Sequence, residues 1–291
     1  MNEKEFLEKI KRIELQSRRL IQEGLAGQYL SRYKGSGVQF KDFRPYVYGD
    51  DVRHIAWNVS ARSEEPVLKT FDEERERTLF LIIDASASLK KGIWGERKSY
   101  RLAEVVASLA MAANISNDDF GYMFFSDQVE KIVMPKRGQV HLMRTIRDVL
   151  YFESENQKTD PDLALSTARS FLKKQSIVFL VSDFEVLPEQ SLCSFYRLRH
   201  DFSVFRISDQ SELFGLGNAF LEAESAEKGR PVTVDLSTDY IRRHIYKHFH
   251  ERDEKVENYF SKLGIPFLNI NVEEDFVALM RKFLRERRAR R

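Results

Sequence analysis

Only one cysteine, Cys193, occurs in the 291 residues, which excludes an intrachain disulfide and a cysteine cage for zinc and fits a reducing compartment. Long apolar runs are missing as well. The longest, Val105 to Ile115, is interrupted by Ser108 and Asn114 and falls far short of the roughly 20 residues a membrane-spanning helix needs. Net charge is almost absent: charged residues make up 32% of the chain but sum to +2, so any electrostatic partner must be read from local clusters. The opening Met1-Asn2-Glu3-Lys4-Glu5 alternates charge where a signal peptide would have an apolar core, and a cytoplasmic protein is expected. No P-loop and no Gly-x-Ser-x-Gly elbow occurs, so the chain is not expected to hydrolyse ATP. His244 and His248 share a helical face, yet Ile245 stands where a zinc protease motif needs glutamate, and a solvated face is expected.

What is present is a foldable chain, 42% hydrophobic and 12% aromatic, long enough to bury a substantial core. Asn2 to about Gln22 has the spacing of an amphipathic helix, with Phe6, Ile10, Ile13 and Leu20 on one face. From Gly24 to Asp72 turn residues punctuate short stretches such as Val38-Gln39-Phe40 and Tyr46-Val47-Tyr48, which predicts turns and short strands. Beyond that the rhythm becomes strand, loop, helix. Strands are expected at Thr78–Ile83, Phe120–Phe125, Val129–Met134, Ser176–Ser182, Phe202–Ile207 and Ile265–Ile270. Helices are expected at Arg97–Ile115, Val140–Tyr151, Asp162–Lys173, Asp239–Leu263 and Glu274–Arg287, and a hairpin between Asn218 and Leu236. The implied fold class is α/β, a mostly parallel sheet flanked by helices. Residues 73–291 would form it, with residues 1–72 (the N-terminal helix and short strands) packed on it.

In an open parallel sheet, ligands gather beyond the carboxyl ends of the strands. Two predicted central strands deliver aspartates there, Asp84 in Asp84-Ala85-Ser86-Ala87-Ser88 and Asp183 in Ser182-Asp183-Phe184. Between them Thr159-Asp160-Pro161-Asp162 opens a helix. With Asp160 as the N-cap and Pro161 in the first turn, the Thr159 hydroxyl is left for another task. Two carboxylates and the hydroxyls of Ser86, Ser88 and Thr159 are hard oxygen donors suited to Mg²⁺, or to Mn²⁺, which keeps waters and an open position. The plain alternative is that Asp-x-Ser-x-Ser is an ordinary capped loop.

The order Asp84, Ser86, Ser88, Thr159, Asp183 resembles the metal-ion-dependent adhesion site of von Willebrand factor A domains. Gly35-Ser36-Gly37-Val38-Gln39-Phe40, Arg44-Pro45-Tyr46, Gly49-Asp50-Asp51-Val52-Arg53, Trp57 to Arg62, Lys69 to Arg75 and Ser182-Asp183-Phe184 resemble more narrowly the bacterial "domain of unknown function 58" family. That resemblance implies a von Willebrand factor A-like fold and a Mg²⁺ site. It also implies a non-enzymatic role as partner of a MoxR-type AAA+ ATPase in chaperone-like assembly or activation of a client protein. Gln157-Lys158 stands where the wider superfamily often carries glycines, and a lysine beside the expected metal would either repel it or meet an acidic partner. Asp50, Asp51, Arg53 and Trp57 are further candidate partner contacts, although the same segment also has the look of scaffold. In the family's Arg-x-Ile-Asp-Trp string the acidic position is here Ala56.

Two other functions compete. A metal-dependent hydrolase could use the same site, but Ser86 occupies the place where aspartate phosphatases need a second acid. The basic C-terminus, Arg281 to Arg291, reads as a helix end with a frayed tail. Its alternative is that it binds an acidic partner surface or nucleic acid with steep salt dependence, and nucleic acid is not the expected partner.

Overall fold

The computed structural model describes residues 37–62, 65–74, 78–86, 89, 95–152, 154, 156, 158–209, 220–224, 231–235 and 239–289. The helix expected at Asn2–Gln22 lies outside them. The chain divides into two compact units, one within Leu30–Arg77 and one running from Thr78 onward.

In the small unit, β1 (Gly37–Pro45) pairs antiparallel with β2 (Val67–Glu74), with a register irregularity between Phe40 and Asp42. Tyr46-Val47-Tyr48, expected as a short strand, is instead the start of a turn. The reason is local. Asp50 accepts from Val47 N at 3.0 Å and takes both guanidinium nitrogens of Arg44 at 2.7 Å, folding the chain back on β1. Gly49 supplies the φ of +106° that the reversal demands. Asp51 then caps a 3-10 turn at Val52–His54 by accepting from Arg53 N. Ala56 is the N-cap of the helical turn Trp57–Ser60 and offers no side-chain acceptor, so the cap an aspartate would make there is missing. Trp57, a candidate partner contact, is 67% exposed, while Ala56 and Leu68 are buried.

The large unit is built on a six-stranded sheet comprising β3 (Thr78–Asp84), β4 (Asp119–Phe125), β5 (Val129–Lys136), β6 (Ile177–Ser182), β7 (Asp201–Ser208) and β10 (Phe267–Asn271). Its order is β10-β7-β6-β3-β4-β5, parallel throughout except for edge strand β5. Numbered in chain order these strands read 3-2-1-4-5-6, the doubly wound arrangement. The helices are α1 (Gly95–Ile115), α2 (Gln139–Tyr151), α3 (Pro161–Phe171), α4 (Gln190–Arg199), α5 (Asp239–Lys262) and α6 (Phe276–Ala289). β8 (Phe220–Glu224) and β9 (Pro231–Asp235) form the expected hairpin.

Leu79 to Asp84 are all buried, because β3 is covered on both faces and its apolar run needs no alternation. One face, with Phe80, Ile82, Met123, Val178, Leu180 and Val204, packs on Ala164 and Leu165 of α3, Tyr196 of α4 and Phe260 of α5. The other face is met by α2 and α6, through Tyr122 Oη donating to Asp148 and the edge-on contact of Phe205 with Phe283. Helix α4 is not foreseen in the sequence reading. It buries only Cys193 and Tyr196 fully and leaves Leu198 exposed, too weak a stripe to stand out. Cys193 is a packed thiol, and burial pushes it up to about 12.

The C-terminal helix corrects one expectation. Arg287, read as part of a frayed basic end, is buried and forms an ion pair with Asp201 at the start of β7.

Candidate metal centre

The strand order reverses between β3 and β6, which are adjacent and parallel with Ile83 opposite Val181. Crossovers leave in opposite directions from such a pair, so a crevice opens beyond their carboxyl ends. Asp84 ends β3 and Asp183 follows β6, and both are buried, at 0% and 2% exposure.

The surrounding groups converge on Asp84. Its Oδ1 accepts from Ser86 N at 2.9 Å. Its Oδ2 accepts from Ser182 Oγ at 2.6 Å and from Thr159 Oγ1 at 3.1 Å. Asp160 caps α3, accepting from Asp162 N and Leu163 N, which leaves the Thr159 hydroxyl to reach Asp84 as the sequence suggests. The end of β4 ties the two loops together: Ala85 N donates to Phe125 O, and Asp160 N donates to Ser126 O, each at 2.8 Å.

Asp183 is held differently. Phe184 sits at φ +56°, a conformation an aromatic residue adopts only when its surroundings impose it. Here its buried ring packs edge-on against Phe260, and its N–H donates to Ser182 Oγ. The turn this makes exposes the Asp183 carbonyl to two guanidiniums, Arg206 Nε at 3.1 Å and Arg252 Nη2 at 3.3 Å. Neither arginine pairs with the Asp183 carboxylate. They go instead to Asp253 and Glu185. Asp183 Oδ1 receives Glu185 N at 3.4 Å, while Oδ2 is buried and has no hydrogen-bond partner among the described residues.

Two anions therefore lie close together in a low-dielectric site. Burial, and then repulsion from Asp183, push the Asp84 carboxyl up to about 6, against the opposing hydrogen bonds from Ser182 and Ser86. An orphaned carboxylate oxygen beside a second carboxylate is what a bound cation would satisfy. Every donor is a hard oxygen, which suits Mg²⁺ or Mn²⁺ rather than zinc. Hydroxyls that give their proton to Asp84 still have lone pairs for a cation. Carboxylates alone would not make the site: among the described residues no group of three or more His, Cys, Asp or Glu side chains has metal-holding geometry.

Of the residues expected as ligands, Asp84, Ser86, Thr159 and Asp183 come together, and Ser88 lies outside the described residues. Lys158 is exposed. Asp50 and Asp51 hold their own turns through Arg44 and Arg53, whereas the Arg53 side chain is 86% exposed and Trp57 is open to solvent. Ser182 was missed. Its signal was its place immediately before a strand-ending aspartate, which sets its hydroxyl toward the neighbouring strand's end. The side chains of His244 and His248 lie outside the described ones.

The profile of the family described as "Protein of unknown function DUF58" matches residues 42–255. The chain is 23% identical to uncharacterized proteins of Mycobacterium bovis and Mycobacterium tuberculosis over 290 residues, covering 96% of this chain and 89% of theirs. Among solved structures it is similar to the conserved hypothetical protein BatB of Bacteroides thetaiotaomicron (TM-score 0.46, 11% identity, 73% of this chain and 99% of that one). A von Willebrand factor type A protein of Catenulispora acidiphila is also similar (TM-score 0.37, 15% identity, 49% and 35%). Since the profile spans well over half of its residues, the chain belongs to the DUF58 family.

Proposed function

We propose that this protein is a non-enzymatic, metal-dependent protein-binding module, with Asp84, Ser86, Thr159 and Asp183, joined by Ser88, holding Mg²⁺ or Mn²⁺. The supporting observation is the buried Asp183 Oδ2, which has no hydrogen-bond partner among the described residues and lies beside a second buried carboxylate. When bound, the cation supplies an electron-poor position that accepts a carboxylate oxygen from another protein. Lys158, exposed next to Thr159, adds positive charge for an acidic partner. Binding is favoured over hydrolysis because both Asp84 oxygens already accept hydrogen bonds and the residue is fully buried, which suits a structural anion better than a nucleophile.

The partner implied by the family resemblance is a MoxR-type AAA+ ATPase, with a client protein acted on jointly in the cytoplasm. No helix among the described residues is long and apolar enough to cross a membrane. Binding of a purified MoxR-type ATPase, measured with and without chelator, tests the proposal. Wild type should bind in Mg²⁺ and lose binding in chelator, and Asp183→Ala should not bind in either. Equal binding by all would refute it.

A further inference from the structure

Thr159 lies between the end of α2 and the start of α3, where the described residues Phe152, Ser154, Asn156 and Lys158 to Asp160 belong to no strand or helix, yet it must be held at hydrogen-bond distance from Asp84. Such a connection orders only where something fixes its polar groups. Its first residue, Phe152, stacks on Phe124 of β4 with ring centroids 4.3 Å apart. Its last, Asp160, is fixed through Ser126 O. Between these points a single atom collects the chain. Glu130 Oε1, on edge strand β5, accepts from Ser154 Oγ at 2.7 Å, from Asn156 Nδ2 at 3.1 Å and from Ser126 Oγ at 2.6 Å. Ser154 Oγ in turn receives Asn156 N at 3.1 Å, closing a small loop over the carboxylate.

We infer that Glu130 is a positioning residue of the candidate metal centre, holding Ser154, Asn156 and Ser126 so that Thr159 is set against Asp84. The inference rests on the metal reading proposed above. An edge-strand position beside solvent needs no acceptor of three hydrogen bonds, and an alanine would serve the strand equally well. Burial pushes the Glu130 carboxyl up, but the hydrogen bonds from Ser126, Ser154 and Asn156 outweigh it and hold it below the ordinary glutamate range. Glu130 is therefore an anion at neutral pH and purely an acceptor. Ser126 links the two ends of the device: its hydroxyl goes to Glu130 and its carbonyl to Asp160 N. Loss of Glu130 would free the middle of the segment while leaving the α3 cap and the sheet intact. A ligand-bearing loop that must order on binding holds its cation more weakly than one ordered beforehand.

The test compares Mn²⁺ affinity, read from the free-ion electron paramagnetic resonance signal, in wild type, Glu130→Ala, Glu130→Gln and Ser154→Ala. Thermal midpoints in chelator and amide exchange at Asn156 and Asp160 are measured alongside. Glu130→Ala should weaken Mn²⁺ by roughly 10-fold or more, Glu130→Gln and Ser154→Ala by less. The Asn156 and Asp160 amides should exchange faster while the central strands stay protected. Affinities equal to wild type in all variants would overturn the inference and leave the metal reading standing. No saturable Mn²⁺ binding by wild type would overturn both. If Glu130→Ala does not fold, Ser154→Ala carries the test, because it removes a hydroxyl from the loop alone.

Discussion

The large unit buries carboxylates at opposite ends of its sheet and treats them in opposite ways. At the start of β7, Asp201 is paired with Arg287, which α6 delivers from the end of the chain. Beyond the ends of β3 and β6, Asp84 and Asp183 lie side by side with hydroxyls and amides around them, and no lysine or arginine pairs with either among the described residues. Arginines were within reach. Arg206 and Arg252 touch Asp183, but at its carbonyl. A buried anion without a counter-ion costs several kcal/mol, so the same fold solves the problem internally at one end and leaves it open at the other. The open end lies at the switch point, where ligands of doubly wound sheets bind.

Removing a charge should have opposite effects at the two ends. Arg287→Ala strands Asp201 in the interior and should lower unfolding free energy by about 3–5 kcal/mol, read from chemical denaturation. It follows that deleting Arg285 to Arg291 is no clean test of a basic tail, since it removes a structural ion pair. Ser182→Ala comes next. It deprives Asp84 of its shortest donor and the buried Phe184 N–H of its acceptor, and about 2 kcal/mol should be lost.

The smallest effect has the reverse sign. In chelator at neutral pH, Asp183→Asn relieves repulsion and should stabilise the protein by about 1 kcal/mol. Its pH dependence follows from Asp84, whose folded value of about 6 lies above the ordinary 3.8. Such a group contributes fully below pH 3.8, and its contribution is lost as pH rises through 6. The advantage of Asp183→Asn should therefore be absent near pH 4 and grow to its full size above pH 6. His200 acts oppositely, since burial, then Arg199, lower it to about 4 and stability is lost as pH falls from 6.5. It is present in both proteins and cancels in their difference. A destabilising Asp183→Asn would erase the contrast between the two ends.

Much of this was legible in the sequence because the large unit follows simple patterns. Thr78 to Ile83 announces a buried strand, Asp84 its end, and Asp160-Pro161 a helix start, so the meeting of Asp84, Ser86, Thr159 and Asp183 could be expected before any fold was known. Other features depend on distant partners. Nothing local marks Arg287 as buried, because its partner Asp201 is 86 residues away. Ser182 gains its role only when β6 pairs with β3. Tyr46-Val47-Tyr48 has strand composition, but Arg44 and Asp50 close a turn around it. Glu130 looks like any polar residue on an edge strand until Ser154 and Asn156 arrive beside it.

The proposed function requires the pair Asp84 and Asp183 to hold a cation. Calorimetric titration of Mg²⁺ into chelator-treated protein at about pH 7.5 tests it most directly. Saturable binding of one cation per chain is expected, abolished in Asp183→Asn, whose fold is retained. No binding by the wild type, or unchanged binding by Asp183→Asn, would contradict it.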